Sequence, residues 1–211
     1  MKNLKGLLVW MFCIALLACQ APISFQDPQP VNVKPLTEFP KRLHGEFVSQ
    51  NDYSLLRINK NLMLRIYDFD YKVHPDSLDS QMKLVGDTML NLSTNERFLV
   101  KHVGDSIVYH YHVVDTLFHF DDKHVLKHFK GYYFLNTYPN PNGWVVNKLE
   151  LSKGKIEISS VSNGQDLENL KAIAESSADT IAPYKFKLSK HQFRKFIKQD
   201  GFSYGEVFNK R

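Results

Sequence analysis

Apolar and polar residues alternate with a period of two over long stretches of this chain from about residue 43 onward. In the stretch 107–113, the odd positions hold Ile, Tyr, Tyr and Val, whereas two of the three even positions hold histidine. Successive side chains of a strand point to opposite faces of its sheet, so this pattern predicts a half-buried β-strand. The segments 62–67 and 184–188 alternate in the same way.

Further strands are predicted wherever a short apolar or alternating run lies between turn residues. Two of these runs are joined by Ser152-Lys153-Gly154, a length that suits a hairpin with glycine at a left-handed position. The predicted additional strands cover residues 46–58, 83–92, 97–103, 116–120, 125–136, 144–151 and 155–161.

Two helices are predicted late in the chain. The first runs from an N-cap at Asp166 to about Ser176, with Leu, Leu, Ile and Ala on one face. The second follows Ser189, which forms a capping-box pattern with Gln192, and ends near Gly201. We therefore predict a mainly β fold, an antiparallel meander, sandwich or barrel with one or two short C-terminal helices.

Cysteine usage and charge exclude several classes of function. The only cysteines are Cys13 and Cys19, so the rest of the chain offers no disulfide framework, no Cys-ligated metal and no cysteine nucleophile. The chain has 27 Lys and Arg against 22 Asp and Glu, and two of the lysines, Lys2 and Lys5, precede Cys19. The remaining excess of positive charge is too small to indicate a nucleic-acid partner.

The N-terminus has the layout of a signal peptide. Lys2 and Lys5 precede an uncharged apolar run at residues 7–17, which is too short for a comfortable membrane span. The residues Leu16-Leu17-Ala18-Cys19 resemble the lipobox of bacterial lipoproteins. This resemblance implies cleavage before Cys19 and a diacylglyceryl group on its thiol, which would hold the product on a membrane. An ordinary signal peptide or an uncleaved helical anchor is the alternative interpretation.

The sequence predicts three regions. Residues 1–18 form the lipoprotein signal peptide, residues 19–42 the lipidated N-terminus and a proline-rich, solvated tether, and residues 43–211 a single β-rich domain. Asp27 is the only acidic residue in the first part of the tether. Because surface-export tags of such lipoproteins are acidic clusters, we expect an outer-membrane lipoprotein that faces the periplasm.

Two histidines on one strand face invite a metal hypothesis. His110 and His112 could present two imidazoles to one ion. No Asp or Glu stands at a ligand spacing from them in the sequence, so we assign no metal ligand and interpret the pair as part of a solvated strand face. The candidates for a third ligand would be His102, His119, His124 and His128.

No catalytic or cofactor-binding residue is assigned either. Residues 201–205 have the Gly-x-Ser-x-Gly spelling of a nucleophile elbow, but too few residues follow them to supply an acid and a histidine. The acidic pairs 68/70 and 121/122 are expected in exposed turns. The aromatic stretch 132–134, with Tyr138 and Trp144, could line a sugar or apolar-ligand site, but core packing is the favoured interpretation.

The C-terminal segment is basic. Residues 185–211 hold eight Lys and Arg against two acidic residues. On the second helix, Lys190, Arg194 and Lys198 would form one face that could contact an anionic membrane surface or an acidic protein partner. A solvated helix face is the alternative.

Several stretches resemble uncharacterised envelope lipoproteins of the Bacteroidota. They are residues 115–118, 125–127 with 131–136, 144–151 and the lysine-rich terminal helix. The resemblance covers most of the chain after about Glu46 and implies an envelope address and a β-rich fold, but no catalytic residue and no ligand. We therefore expect a lipid-anchored binding or structural accessory module. A lipocalin-like carrier of an apolar molecule is the second hypothesis, and an envelope hydrolase the third.

Overall fold

The structure is a computed structural model that describes residues 23–139, 143–162, 164–174 and 183–211. Within these ranges the chain is mainly β with two short α-helices, which confirms the predicted fold class. The elements are β1 (Ile23–Phe25), β2 (Pro35–Leu36), β3 (Gly45–Ser49), β4 (Leu55–Ile58), β5 (Leu62–Val73), β6 (Met82–Val85), β7 (Thr88–Asn91), β8 (Arg97–Val103), β9 (Ser106–His119), β10 (His124–Phe129), β11 (Tyr132–Thr137), β12 (Val145–Ser152), β13 (Lys155–Ser160), α1 (Gln165–Ala174), β14 (Tyr184–Phe186), α2 (Lys190–Lys198) and β15 (Tyr204–Lys210).

The chain divides into two compact units, where the sequence predicts one domain over residues 43–211. Unit 1 comprises the residues up to Glu38 together with Phe120–Glu206. Unit 2 comprises Phe39–His119 and Val207–Arg211. Alternation of apolar and polar residues reports which face of a strand is buried, but it does not report which strands share a core, so the division was not visible in the sequence. No helix among the described residues is long and apolar enough to cross a membrane.

Unit 1 packs two helices and a small parallel strand pair around an aromatic core. Strands β2, β10, β11, β12 and β13 pair antiparallel in that order, and β1 pairs with β14 in parallel. The predicted hairpin of β12 and β13 is confirmed, and both Lys153 and Gly154 at its turn have positive φ. Side chains from strands, helices and loops meet in the core, among them Phe25, Phe134, Phe186, Phe193, Phe196 and Phe202.

The prediction of a solvated tether over residues 19–42 is wrong for part of this segment, because it contains the buried residues Ser24, Phe25, Gln29, Pro30 and Phe39. Phe25 is fully buried in the core of unit 1, and the Lys127 ammonium donates hydrogen bonds to the carbonyl oxygens of Pro28 (2.7 Å) and Pro30 (3.0 Å). Burial lowers the pKa of Lys127, and the charge of Asp27 opposes this shift. The strands of this segment, β1 and β2, are only three and two residues long, but its prolines do not prevent buried side chains from binding its backbone.

Asn136 fixes the same segment from the middle of β11. Its side-chain oxygen accepts a hydrogen bond from the Gln29 backbone N–H (2.6 Å), and its amide donates to the Gln29 carbonyl (2.9 Å). Both residues are fully buried. One side chain therefore satisfies both backbone groups of a residue that lies outside any strand or helix, as buried backbone requires.

The first helix begins one residue earlier than predicted, and residues 175–176 of the prediction lie outside the described ranges. Asp166 is not its N-cap but a buried residue of its first turn. Its carboxylate accepts hydrogen bonds from the backbone N–H groups of Ser162 (2.8 Å) and Ser203 (3.0 Å) and from the Ser203 hydroxyl (2.8 Å). Ser203, the serine of the Gly-x-Ser-x-Gly sequence, is thus joined through Asp166 to the loop that contains Ser162.

The capping box of the second helix is confirmed. The Ser189 hydroxyl accepts from the Gln192 N–H (3.2 Å), and the Gln192 side chain accepts from the Ser189 N–H (2.9 Å). The helix is followed by Asp200, not Gly201, in the left-handed conformation. Gly201 is required for a different reason, because a Cβ atom there would collide with the ring of Phe196.

Unit 2 is an antiparallel sheet in the order β15, β3, β4, β5, β9, β8, β7, β6, of which β15 contributes its last residues. The segment 46–58 is a hairpin of two strands, and the predicted strands 107–113 and 116–120 form one long strand, β9. Strand β15 was not predicted. Buried side chains of this unit include Phe39, Leu43, Phe47, Leu56, Met63, Phe118 and Phe208.

Candidate functional site on strands β5 and β9

The longest ladder of unit 2 pairs β5 with β9, from Leu62 opposite His119 to Val73 opposite Ile107. Strand β4 pairs with β5 only as far as Ile66. Residues 67–73 therefore extend beyond β4 and, within the described part of the chain, have β9 as their ladder partner. Because side chains alternate between faces, this extension presents aromatic rings on one face and ionisable groups on the other.

An aromatic groove lies on the first face. We define it by Tyr67, Phe69 and Tyr71 of β5, Tyr109 and Tyr111 of β9, and Phe98 of β8. Tyr71 stacks on Tyr109 at 5.4 Å between ring centroids, and Phe69 meets Tyr71 edge to face at 4.8 Å. The groove encloses about 960 Å³ and is open to solvent. None of its rings is fully buried, so it offers aromatic surface to a ligand.

Polar side chains border the aromatic groove. No Lys or Arg occurs among the described residues that line it, whereas three carboxylates do. The Thr94 hydroxyl donates to the Glu96 carboxylate (2.9 Å) at this border. An anionic ligand would meet the negative charges of Glu96 and Asp115 here, which disfavours it. The polar lining residues are Asp52, Asn91, Thr94, Glu96 and Asp115.

Asp52 is the carboxylate with the clearest electrostatic perturbation. Burial by itself raises its pKa, but hydrogen bonds from Ser54 and Ser49 and the charge of Arg65 outweigh burial, so the pKa lies below its ordinary value. The Arg65 guanidinium lies 2.9 Å from the Asp52 carboxylate and 5.3 Å from the centroid of the Tyr67 ring. Asp52 therefore stays ionised at physiological pH, and its ion pair with Arg65 holds both side chains in place at the border of the groove.

Tyr109 is a residue of the aromatic groove whose hydroxyl has a raised pKa. Burial, with contributions from Tyr71 and Tyr111, raises the pKa of its hydroxyl above the ordinary tyrosine value. The hydroxyl is therefore neutral at physiological pH and can donate a hydrogen bond as well as accept one. Together the rings and hydroxyls suit a ligand that has flat apolar faces edged by polar groups.

The opposite face of the same ladder carries a His/Asp cluster, which we define as Asp68, Asp70, His110 and His112. Asp68 lies directly opposite His112 in the ladder, and Asp70 directly opposite His110. His110 Nδ1 lies 3.0 Å from Asp70 Oδ1, and His110 Nε2 lies 3.2 Å from Asp68 Oδ1. His112 Nδ1 lies 3.7 Å from Asp68 Oδ2. All four side chains are more than half exposed.

The premise that no carboxylate accompanies His110 and His112 is therefore wrong. Asp68 and Asp70 were expected in an exposed turn, but they lie inside β5 and face the histidines. The alternation of residues in β5 and β9 was the signal that could have found them. It had to be considered for the two strands as a pair and not for each strand alone. Of the other histidines, His102 pairs instead with Asp87 at 3.3 Å. His128 lies against the ring of Tyr133 at 4.8 Å.

The aromatic stretch named from the sequence packs inside unit 1. Tyr133 and Phe134 are buried, and Tyr138 contacts Trp144 at 5.2 Å between ring centroids. Core packing was thus the correct interpretation of Tyr133 and Phe134. The aromatic groove was missed, although the alternating aromatic residues at 67, 69 and 71 and at 109 and 111 were its signal.

The basic residues of α2 are accessible. Lys190, Arg194 and Lys198 follow one another at intervals of four residues and are all exposed. The Lys190 ammonium lies 5.3 Å from the centroid of the Phe129 ring. Cys19 lies outside the described residues.

The chain was compared with known proteins in three ways, and no protein-family model, no curated protein and no solved structure matches it.

Proposed function

We propose that this chain is a lipid-anchored lipoprotein of the bacterial envelope that acts as a binding module, with the aromatic groove of unit 2 as its ligand site. The observation that carries the proposal is the set of six partly exposed rings that line a groove of about 960 Å³. A set of aromatic side chains is costly to leave in contact with water, and concave aromatic sites with a few polar groups are typical of ligand binding.

The lining chemistry favours a neutral oligosaccharide. Sugar rings have flat faces of C–H groups that pack on aromatic rings, and their hydroxyls donate to carboxylates such as Asp115 and Glu96. A groove of about 960 Å³ that is open to solvent has room for more than one sugar ring. The carboxylates disfavour fatty acids, nucleotides and other anions.

The lipid anchor would determine where in the cell the protein is located. The sequence Leu16-Leu17-Ala18-Cys19 supports lipidation of Cys19. Asp27, which stands without an acidic cluster after Cys19, favours retention on the periplasmic side of the outer membrane. On α2, the exposed Lys190, Arg194 and Lys198 would lie against anionic headgroups or an acidic protein partner. The anchor and the basic face would together hold the module at one membrane.

The test is binding of a panel of soluble neutral oligosaccharides to the purified protein in mild detergent, measured by calorimetry. We expect at least one to bind and the variant Tyr71→Ala to weaken binding about tenfold, because a ring at a binding site commonly contributes more than about 1 kcal/mol. Tyr204→Ala is the matched control, since Tyr204 is exposed but belongs to unit 1. Equal binding by both variants, or none to the whole panel, would contradict the proposal.

The second candidate is a carrier of a neutral apolar molecule, favoured by the predominance of rings in the lining. The two candidates differ in what accompanies the protein from the cell. A carrier would retain its ligand through purification, so native mass spectrometry would show an added small-molecule mass that Tyr71→Ala loses. A saccharide-binding module would be recovered without such a mass and would bind the oligosaccharide panel.

A further inference from the structure

We propose that the His/Asp cluster of unit 2 is a zinc-binding site, with His110, His112 and Asp68 as its protein ligands and Asp70 as the residue that orients His110. The proposal is independent of the aromatic groove, which lies on the other face of the ladder. It concerns a divalent transition-metal ion, and Zn²⁺ is the ion with the best match to two imidazoles and one carboxylate.

The first argument is the spacing of the ligand atoms. On a tetrahedral zinc ion with bonds of about 2.0 Å, neighbouring ligand atoms lie about 3.3 Å apart. The observed separations are 3.2 Å from His110 Nε2 to Asp68 Oδ1 and 3.7 Å from His112 Nδ1 to the other oxygen of the same carboxylate, Asp68 Oδ2. One ligand atom from each of the three residues lies within 4.8 Å of the others. Small rotations of exposed side chains therefore suffice to bring the three atoms onto one ion.

The second argument is the backbone that carries these residues. Asp68 and His112 are direct partners in the β5–β9 ladder, and His110 is two positions from His112 on the same strand. The rings of His110 and His112 are nearly parallel, with 12° between their planes and 6.3 Å between their centroids. Paired strands are rigid supports, so the three groups are held together before an ion arrives, which lowers the entropic cost of binding.

The third argument is the role of Asp70. Its carboxylate lies at hydrogen-bond distance from His110 Nδ1, at 3.0 Å, while the other ring nitrogen, Nε2, faces Asp68. Metal-binding histidines characteristically donate one ring N–H to a carboxylate, which fixes the tautomer and leaves the second nitrogen free to bind the ion.

The three protein ligands leave a fourth position on the ion. Asp68 and His112 also line a solvent-open cavity of about 550 Å³, together with Arg57 and Arg211. Three protein ligands with one open position are typical of zinc sites that bind water or an exogenous ligand, rather than of closed structural sites. The site would therefore hold Zn²⁺ with a water in the fourth position, accessible from this cavity.

The experiment is calorimetric titration of ZnCl₂ into the purified full-length protein in mild detergent, freed of metal with EDTA and kept in a phosphate-free buffer at pH 7. We expect one equivalent of Zn²⁺ to bind and the melting temperature to rise, whereas Ca²⁺, which prefers oxygen ligands, produces neither effect. Asp68→Asn and His112→Ala are each expected to weaken zinc binding at least tenfold. Asp70→Asn is expected to weaken it about 10- to 100-fold through the orientation of His110.

His102→Ala is the matched control, because His102 is equally exposed and has a single carboxylate partner, Asp87. It should leave the zinc affinity unchanged. Co²⁺ in place of Zn²⁺ gives an independent readout, since its visible spectrum should report mixed nitrogen and oxygen ligation in the parent and lose it in His112→Ala. The proposal is overturned if tenfold excess zinc changes neither the heat signal nor the melting temperature, or if binding survives both Asp68→Asn and His112→Ala.

Discussion

Substitution of Asn136 by Ala tests whether residues 26–33 are packed as part of unit 1 or form a solvated tether. The Asn136 side chain accepts from the Gln29 N–H at 2.6 Å and donates to the Gln29 carbonyl at 2.9 Å, and both residues are fully buried. In the alanine variant, both backbone groups of Gln29 lose their partner. The variant therefore measures the free energy that one side chain contributes to holding this segment.

The magnitude follows from the two unsatisfied groups. Each buried group left without a partner costs about 1 to 3 kcal/mol. Water that enters the vacated space would restore part of this, so we expect a loss of about 2 to 4 kcal/mol in the free energy of unfolding of unit 1. With a urea dependence of about 2 kcal/mol per molar, the midpoint should fall by about 1 to 2 M.

Tryptophan fluorescence during urea unfolding is the suitable assay. From residue 19 onward, Trp144 is the only tryptophan of the sequence. Its backbone exchanges two hydrogen bonds of 2.8 Å with Phe25, beside the segment in question. Asn61→Ala, at an exposed position of unit 2, is the control and should change stability by less than about 0.5 kcal/mol. If Asn136→Ala behaved like this control, the packing of residues 26–33 against unit 1 would be refuted.

Three further predictions concern the C-terminal loop, pH dependence and the anchor. Gly201→Ala should destabilise unit 1 by about 1 to 3 kcal/mol in the same urea assay, because the added methyl collides with the buried Phe196 ring; an unchanged midpoint would show that the ring can move aside. The folded-state pKa of Asp52 is lowered, so its contribution to stability is complete above the unfolded pKa of about 3.9 and is lost as pH falls through the folded pKa. Melting temperatures between pH 6 and pH 2 should therefore fall less steeply in Asp52→Asn than in the parent, and parallel curves would contradict this. The N-terminal peptide of the parent should carry the mass of a lipid group that Cys19→Ala lacks, and a parent peptide without that mass would contradict lipid anchoring.

Local patterns in the sequence predicted local structure well. The capping box at Ser189 and Gln192 formed as expected, because its partners are three residues apart. The β12–β13 hairpin formed because a short turn fixes the register of its strands. Strand alternation identified β8 with its observed bounds and the first part of β5.

Contacts between distant parts of the chain could not be predicted in this way. Lys127 and Asn136 bind the backbone of residues 28–30, which lie about a hundred positions earlier in the sequence. Asp166 was taken for a helix cap because its type suits that position, yet its carboxylate accepts from Ser203, 37 positions later. A single sequence shows the residue types that favour such bonds but not the partners, since only the completed fold brings them together.

The same limit explains the outcome for the candidate sites. Alternation correctly predicted that His110 and His112 share one face of a strand, but the register of β9 against β5 decides which side chains lie opposite them. That register also aligns the tyrosines of β9 with the aromatic residues of β5. The sequence shows the alternating residues of β5 and those of β9 separately, but it does not show that the two strands pair.

The most direct test of the central claim, that the aromatic groove is the ligand site, is ¹⁹F NMR of protein labelled with 3-fluorotyrosine. The chain has ten tyrosines, of which Tyr67, Tyr71, Tyr109 and Tyr111 belong to the aromatic groove and the exposed Tyr53 lies at its border. The others belong to unit 1 and are Tyr132, Tyr133, Tyr138, Tyr184 and Tyr204. Addition of the neutral oligosaccharides that bind in calorimetry should shift resonances assigned to the first set and leave the second set unchanged. Shifts confined to the second set, or no shift at saturation, would contradict the claim.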